Sequence, residues 1–189
     1  MRPLTYFIAM SVDGYIAGPD GQIDIYPTPG EYLQFLRTEY PETLPTGARE
    51  ALGVDAPNRK YDTVVMGRAT YEPALRVGIT NPYAHLRQLV VSTTLPKDDY
   101  PDVEICAGDP VERVRQLKAE AGLGIYLAGG AKLAGAVRDE IDEVIVKIYP
   151  IMLGAGVPVL DAGFSVTSLR PTGVRTFDSG HVILSYVRE

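Results

Sequence analysis

IYLAGGAKLAGAVRDEIDEVIVKIYP (Ile125–Pro150) runs from one apolar, strand-type segment to another through a helix-compatible one. Ile125 to Ala128 has strand character, Gly129-Gly130 breaks it, a helix follows from Ala131, and Val144 to Tyr149 is again apolar. Strand, glycine turn, helix and strand follow one another in this order. Paired glycines at a helix start also let the backbone approach an anion, because the first helical N–H groups lack internal partners.

The order repeats outward from this stretch. Leu4 to Met10 is nearly all apolar, which suits a central strand covered on both faces. It leads into Ser11 to Gly14 and Gly18 to Gly21, two turn-rich clusters of a long ordered loop. Gly30 to Tyr40 has a one-sided apolar stripe at Tyr32, Leu33, Phe35 and Leu36, with Glu31 and Glu39 as carboxylates, and Pro41 ends the helix. Residues 42–60 fit a loop or one short helix. Tyr61 to Met66 is a strand, and Gly67-Arg68-Ala69-Thr70 opens a short helix broken near Pro73. Gln88 to Val91 is a strand ending in Ser92-Thr93-Thr94, and Val103 to Ala107 is another, with Cys106 as a small buried hydrophobe. Asp109, Pro110 and Glu112 start a helix whose buried stripe is Val111, Val114 and Leu117; Lys118 falls on its wet face and Gly122 ends it. Val174 to Phe177 and His181 to Val187 form a closing hairpin about Asp178-Ser179-Gly180. His181 receives no catalytic role.

The sum is an α/β chain, one domain over residues 1–189, with a mixed, mostly parallel sheet of about eight strands and a C-terminal antiparallel hairpin. In such sheets ligands gather at the carboxyl ends of the strands. Ser11–Gly14, Gly67–Thr70, Ser92–Thr94 and Gly129–Ala131 all follow strands, so they should share one end of the molecule.

Charge and composition narrow the function. A net charge of −6 and a pI near 5.0 argue against nucleic acid as partner. One cysteine and two histidines support neither a disulfide nor a metal centre. No apolar run approaches bilayer length, and Asp13 arrives too early for a secretory leader, so the chain reads as cytoplasmic, with no membrane partner.

Taken in order, Met10–Ala17 (Met-Ser-x-Asp-Gly-x-Ile-Ala), Val65–Glu72 (Val-Met-Gly-Arg-x-Thr-Tyr-Glu), Ser92-Thr93, Leu127–Gly130 (Leu-Ala-Gly-Gly), Ile141–Glu143 and Pro150–Gly156 (Pro-x-x-Leu-Gly-x-Gly) resemble the dihydrofolate-reductase-like fold. Within it, the chain is most similar to the reductase domain of the bacterial bifunctional riboflavin-biosynthesis deaminase/reductase and its stand-alone relatives. The resemblance implies a three-layer fold, NADPH as cofactor, hydride transfer to a small-molecule substrate, and a homodimer. It implies that Gly67, Arg68 and Thr70 meet the cofactor phosphates, with Arg68 towards the 2′-phosphate. Ser92 and Thr93 would lie near the adenosine ribose phosphate, and Leu127, Gly129, Gly130 and Ala131 at the pyrophosphate. Ala9 and Ile16 would line the nicotinamide. Asp13, in the loop over it, and Glu31, on the following helix, are the candidate catalytic carboxylates. Folate reductases usually carry a Trp in that loop; this chain has no Trp, and it lacks a deaminase zinc signature. The expected activity is therefore NADPH-dependent reduction of a pterin-like or ribosylamino-pyrimidine-like heterocycle, or of a carbonyl compound. The alternatives are an NADPH-binding protein without turnover and a folate reductase proper.

Overall fold

A computed structural model describes residues 1–189. Eight strands form one sheet: β1 (Leu4–Ser11), β3 (Tyr61–Gly67), β4 (Arg87–Val91), β5 (Glu104–Cys106), β6 (Gly124–Gly129), β7 (Glu143–Tyr149), β9 (Leu169–Thr176) and β10 (Val182–Arg188). Their order is β5-β4-β3-β6-β1-β7-β10-β9. Neighbours are parallel from β5 to β7; β10 runs antiparallel to both β7 and β9. The fold expected from the sequence is therefore present, including the C-terminal hairpin. Two short strands, β2 (Tyr15–Ala17) and β8 (Val157–Pro158), pair separately.

Side-chain alternation divides the core in two. Leu4, Tyr6 and Ile8 of β1, Val65 of β3, and Ile125 and Leu127 of β6 pack with Val114, Leu117, Leu133, Ala134 and Val137 of α4 (Pro110–Ala119) and α5 (Ala131–Ala136). Phe7, Val64, Met66, Tyr126 and Ala128 point to the opposite face. There they meet Tyr32 and Leu36 of α1 (Gly30–Glu39) and Tyr71 of α3 (Arg68–Arg76). Both faces being covered explains why the parallel strands read as continuous apolar runs.

Several local expectations need correction. α3 does not break at Pro73 but continues to Arg76, since a proline in the second turn removes only one intrahelical donor. Residues 42–60 need no correction: of the two expected alternatives they hold the short helix, α2 (Thr46–Ala51). Asp109 does cap α4, its Oδ1 accepting from Val111 N at 2.8 Å, but the helix ends at Ala119 rather than Gly122. Lys118 is buried, not on the wet face: Nζ donates to Glu140 O (2.8 Å) and pairs with Asp142. Cys106 is only half-buried. β9 starts at Leu169, five residues before the expected hairpin arm, and is exposed throughout as the sheet's edge. No helix is long and apolar enough to cross a membrane.

Candidate active site

The groove between α3 and α5 begins with two strand ends that touch. The sheet register pairs Met66 of β3 with Gly129 of β6. A Cβ on Gly67 would lie 3.7 Å from Gly130 N and 3.8 Å from Gly129 O, so the two turns are in contact. Gly129 has φ +107°, which L side chains rarely adopt, and the Gly129–Gly130 peptide is cis. Thr70 Oγ1 lies 3.7 Å from the Cβ position of Gly130 and 3.9 Å from that of Gly129. A cavity of about 530 Å³ opens here, lined by Gly67, Arg68, Gly130, Ala131 and Lys132, with Val157, Pro158 and Asp161 on the far wall. Neither α3 nor α5 has a side-chain N-cap, so their first N–H groups lack capping partners beside this space.

Arg68 reaches sideways from this groove. Its Nη1 donates to Thr94 Oγ1, and Nη2 lies 3.8 Å from Glu72 Oε1. It thereby bridges the ends of β3 and β4. Ser92 is buried, and its Oγ accepts from Thr94 N (3.3 Å) and Leu95 N (3.1 Å), so it holds the turn. Thr93 is exposed beside it.

The loop after β1 is fastened to the loop after β7. β2 and β8 pair there, Val12 N donates to Ile151 O (2.9 Å) and Val159 N donates to Gly14 O (2.9 Å). Asp13 is the side-chain clasp. Its carboxylate accepts from Ser11 Oγ (2.6 Å), Gly154 N (2.7 Å) and Leu153 N (3.1 Å). The Ser11 hydroxyl, then the Gly154 and Leu153 amides, draw its pKa down to about 2. Gly156 is required where the loops meet, because a Cβ would sit 2.2 Å from Ala17 O.

The face of the sheet under α1 has a different chemistry. Ala9 of β1 is paired with Lys147 of β7, Lys147 with Ile183 of β10, and Ile183 with Arg175 of β9. Lys147 Nζ stands 4.1 Å above the Phe7 ring, and the Arg175 guanidinium lies 4.7 Å from the Phe35 ring. Phe7 packs against Tyr40 at 4.8 Å and Tyr32 stacks on His181 at 4.6 Å. Lys147 makes no ion pair, and burial lowers its pKa to about 7. Glu31 points elsewhere, its Oε1 accepting from Ser179 N at 2.7 Å. His181 is buried, with Nε2 3.1 Å from Pro27 O, and is a packing residue of the hairpin turn.

The sequence pattern of the RibD C-terminal domain matches residues 2–183. The chain belongs to the RibD C-terminal domain family. It is 33% identical to the uncharacterized protein YwjB of Bacillus subtilis (strain 168), over 99% of this chain and 98% of that one. Among solved structures it is similar to a putative riboflavin biosynthesis protein from Shewanella sp. PV-4, with TM-score 0.71, 27% identity, and coverage of 100% and 99%. The fold is also that of Enterococcus faecalis dihydrofolate reductase, solved with NADP(H), with TM-score 0.68, 17% identity, and coverage of 99% and 96%.

Within this RibD C-terminal domain the expected site residues fall in different places. Gly67, Arg68, Thr70, Gly129, Gly130 and Ala131 converge on one groove. Ser92 and Thr93 flank it, but the residue that touches Arg68 is Thr94. Leu127 needs correction: its side chain is 0% exposed in the α4–α5 core, because odd-numbered β6 residues face that way, and it does not line the groove. Ala9 lies on the α1 face, whereas Ile16 packs at the margin of the α4–α5 core, so the two flank the end of β1. Asp13 and Glu31 both hold backbone amides of neighbouring loops. Lys132 and Lys147 were missed: Lys132 directly follows Ala131 and lines the same groove, whereas Lys147 stands apart in the sequence, and only the sheet register sets it beside Ala9.

Proposed function

We propose that this protein is an NADPH-dependent reductase that transfers hydride to a small heterocyclic substrate, pterin-like or ribosylamino-pyrimidine-like, or to a carbonyl compound. The observation that carries this reading is the convergence of Gly67-Arg68, Thr70, Gly130-Ala131 and Lys132 on one cavity of about 530 Å³. Family membership and the likeness to a dihydrofolate reductase solved with NADP(H) support it.

The residues present fit a dinucleotide. Glycine turns admit phosphate close to the backbone, uncapped N–H groups can donate to it, and Arg68 and Lys132 supply positive charge. The Arg68 fork, against Thr94 at the end of β4, supports the reading that it takes a 2′-phosphate. When bound, the nicotinamide supplies the hydride. The chain's part is to hold it at the end of β1 and to exclude water with the loop that Asp13 fastens. Asp13, ionised down to about pH 2 and fully engaged, positions that loop rather than donating a proton. The engagement of both expected carboxylates with backbone amides weighs against a folate-type acid. Homodimerisation is part of the proposal, supported by exposed apolar residues at and beside the edge strand: Phe164, Val166 and Val174.

Thermal shift reports binding, and the emission of the 12 Tyr, corrected for light absorbed by the cofactor, gives a second readout. NADPH should bind and raise the melting temperature. No effect at millimolar NADPH would overturn the reading.

A further inference from the structure

We propose that Lys147 is the proton donor of the reaction, delivering its ammonium proton to the substrate atom that gains an electron pair when hydride arrives. This rests on the reductase reading above and supplies the acid that reading lacks.

Geometry carries the inference. Lys147 is the cross-strand partner of Ala9, at the end of β1 where the reacting ring belongs. Its ammonium stands over Phe7, on the aromatic α1 face rather than on the phosphate side. It is half-buried, yet no carboxylate meets it. A buried lysine is ordinarily paired, because an unpaired charge in a poorly solvated place costs stability. The nearby acids are engaged elsewhere. Glu143, on the same face of the same strand, accepts from Thr5 Oγ1 at 2.7 Å, and Glu31 of α1 accepts from Ser179 N.

The other titratable groups on this face leave the ammonium alone. From β9, Arg175 is occupied with Phe35 and Phe177. Below Phe7, Tyr40 carries Lys60 over its own ring at 3.7 Å. Tyr32, Tyr40 and Tyr149 are phenols that burial keeps protonated. His181 is stacked on Tyr32. A cation kept unpaired against an aromatic wall, beside the hydride position, is what a proton donor working near neutrality requires.

The step balances. Hydride from the dihydronicotinamide forms a C–H bond at the carbon of a C=O or C=N group. The π pair moves to the oxygen or nitrogen, which takes H⁺ from Nζ. The substrate is reduced by two electrons, the cofactor is oxidised by two, and the neutral amine regains its proton from water.

The test has two parts. First, lysines of the full chain are dimethylated with ¹³C, and the signal missing in Lys147→Arg is titrated with and without saturating NADPH. A midpoint near neutrality that moves when NADPH binds supports the proposal; a midpoint above pH 9, or no response to bound NADPH, overturns it. Second, turnover of NADPH is measured on a panel of dihydropterin, ribosylamino-pyrimidine and quinone substrates. Lys147→Met should lower kcat at least about 100-fold and remove the fall in rate as pH rises through neutrality. Its NADPH affinity should stay within about twofold of the unsubstituted protein, and Lys147→Arg should restore part of the rate with that fall moved to higher pH. Unchanged kcat and pH profile in Lys147→Met, or no turnover of the panel by the unsubstituted protein with NADPH bound, overturns the lysine's role and leaves the cofactor groove standing. Failure to bind NADPH at all sinks the reductase reading itself.

Discussion

The groove between α3 and α5 is made of backbone and small side chains, with Arg68 and Lys132 as its cations and Asp161 as its one carboxylate. The face under α1 is made of rings, Phe7, Tyr32, Phe35, Tyr40 and Tyr149, with Lys147 over Phe7, Lys60 over Tyr40 and Arg175 over Phe35. The first surface offers N–H donors and cations and suits an anionic, flexible chain. The second offers apolar walls and a poorly solvated ammonium and suits a flat ring with one proton to gain. Between them runs the end of β1, with Ala9 turned to the ring-lined side and the loop held by Asp13 beyond it. The two surfaces are also assembled differently. The groove comes from short contiguous runs, the α1 face from single residues spread between Phe7 and Arg175.

Substitutions on one surface should spare the other, and this is how the comparison can be broken. The largest effect is expected for Gly129→Val. It forces a β-branched residue to φ +107°, with its Cβ 3.5 Å from Ile8 Cδ1. It should cost about 3 kcal/mol or more by denaturant unfolding and abolish NADPH binding. Leu127→Ala, which empties a fully buried site two residues earlier, should cost about 2–5 kcal/mol yet leave NADPH affinity unchanged. Weakened NADPH binding in a folded Leu127→Ala protein would restore Leu127 to the cofactor surface.

Arg68→Ala should weaken NADPH by about 1.5–3 kcal/mol, roughly 10- to 150-fold, in a calorimetric titration, and leave NADH within about twofold. Equal weakening of both would detach Arg68 from the 2′-phosphate.

The contrast also explains what could be read in advance. The sheet, its mostly parallel order and the closing hairpin were legible because buried strands give apolar runs and turns give glycine, proline and aspartate. The groove was legible because Gly67-Arg68-x-Thr70 and Gly129-Gly130 are local signals at strand ends. The β2–β8 pairing was not, since two three-residue or shorter segments far apart in the chain carry no periodicity. Lys118 was misplaced because its partners Glu140 and Asp142 come from a distant turn. Lys147 looks like an ordinary alternation residue in Val-Ile-Val-Lys-Ile-Tyr. Only the register with Ala9 and the ring of Phe7 show that it is unpaired beside the site.

Smaller effects follow from the two shifted groups. Asp13 has a folded pKa of about 2 against 3.8 for the free side chain. Its stabilising contribution is therefore full above about pH 4 and lost as pH falls towards 2. Asp13→Asn should flatten this acid limb and speed amide exchange at Leu153 and Gly154, with little change in NADPH affinity. Lys147 has the opposite consequence at the other end of the scale. Its pKa of about 7 lies below the 10.5 of a free lysine, so the unfolded chain binds more protons between these values and stability rises with pH across them. Lys147→Met should be more stable than the unsubstituted protein at pH 7, with a higher Tm, and should lose that rise. A lower Tm for Lys147→Met would mean that the ammonium holds the α1 face together.

The central claim is that the strand-end groove takes NADPH while the α1 face takes the substrate. Titration of assigned ¹⁵N-labelled protein with NADPH tests it directly. The account predicts saturable shifts at Gly67–Thr70, Thr93–Thr94, Gly130–Lys132 and Ala9, with the outer α1 residues Glu31 and Phe35 little affected. Saturation that leaves Gly67–Thr70 and Gly130–Lys132 unmoved, or that centres on Phe35 and Arg175, would contradict it.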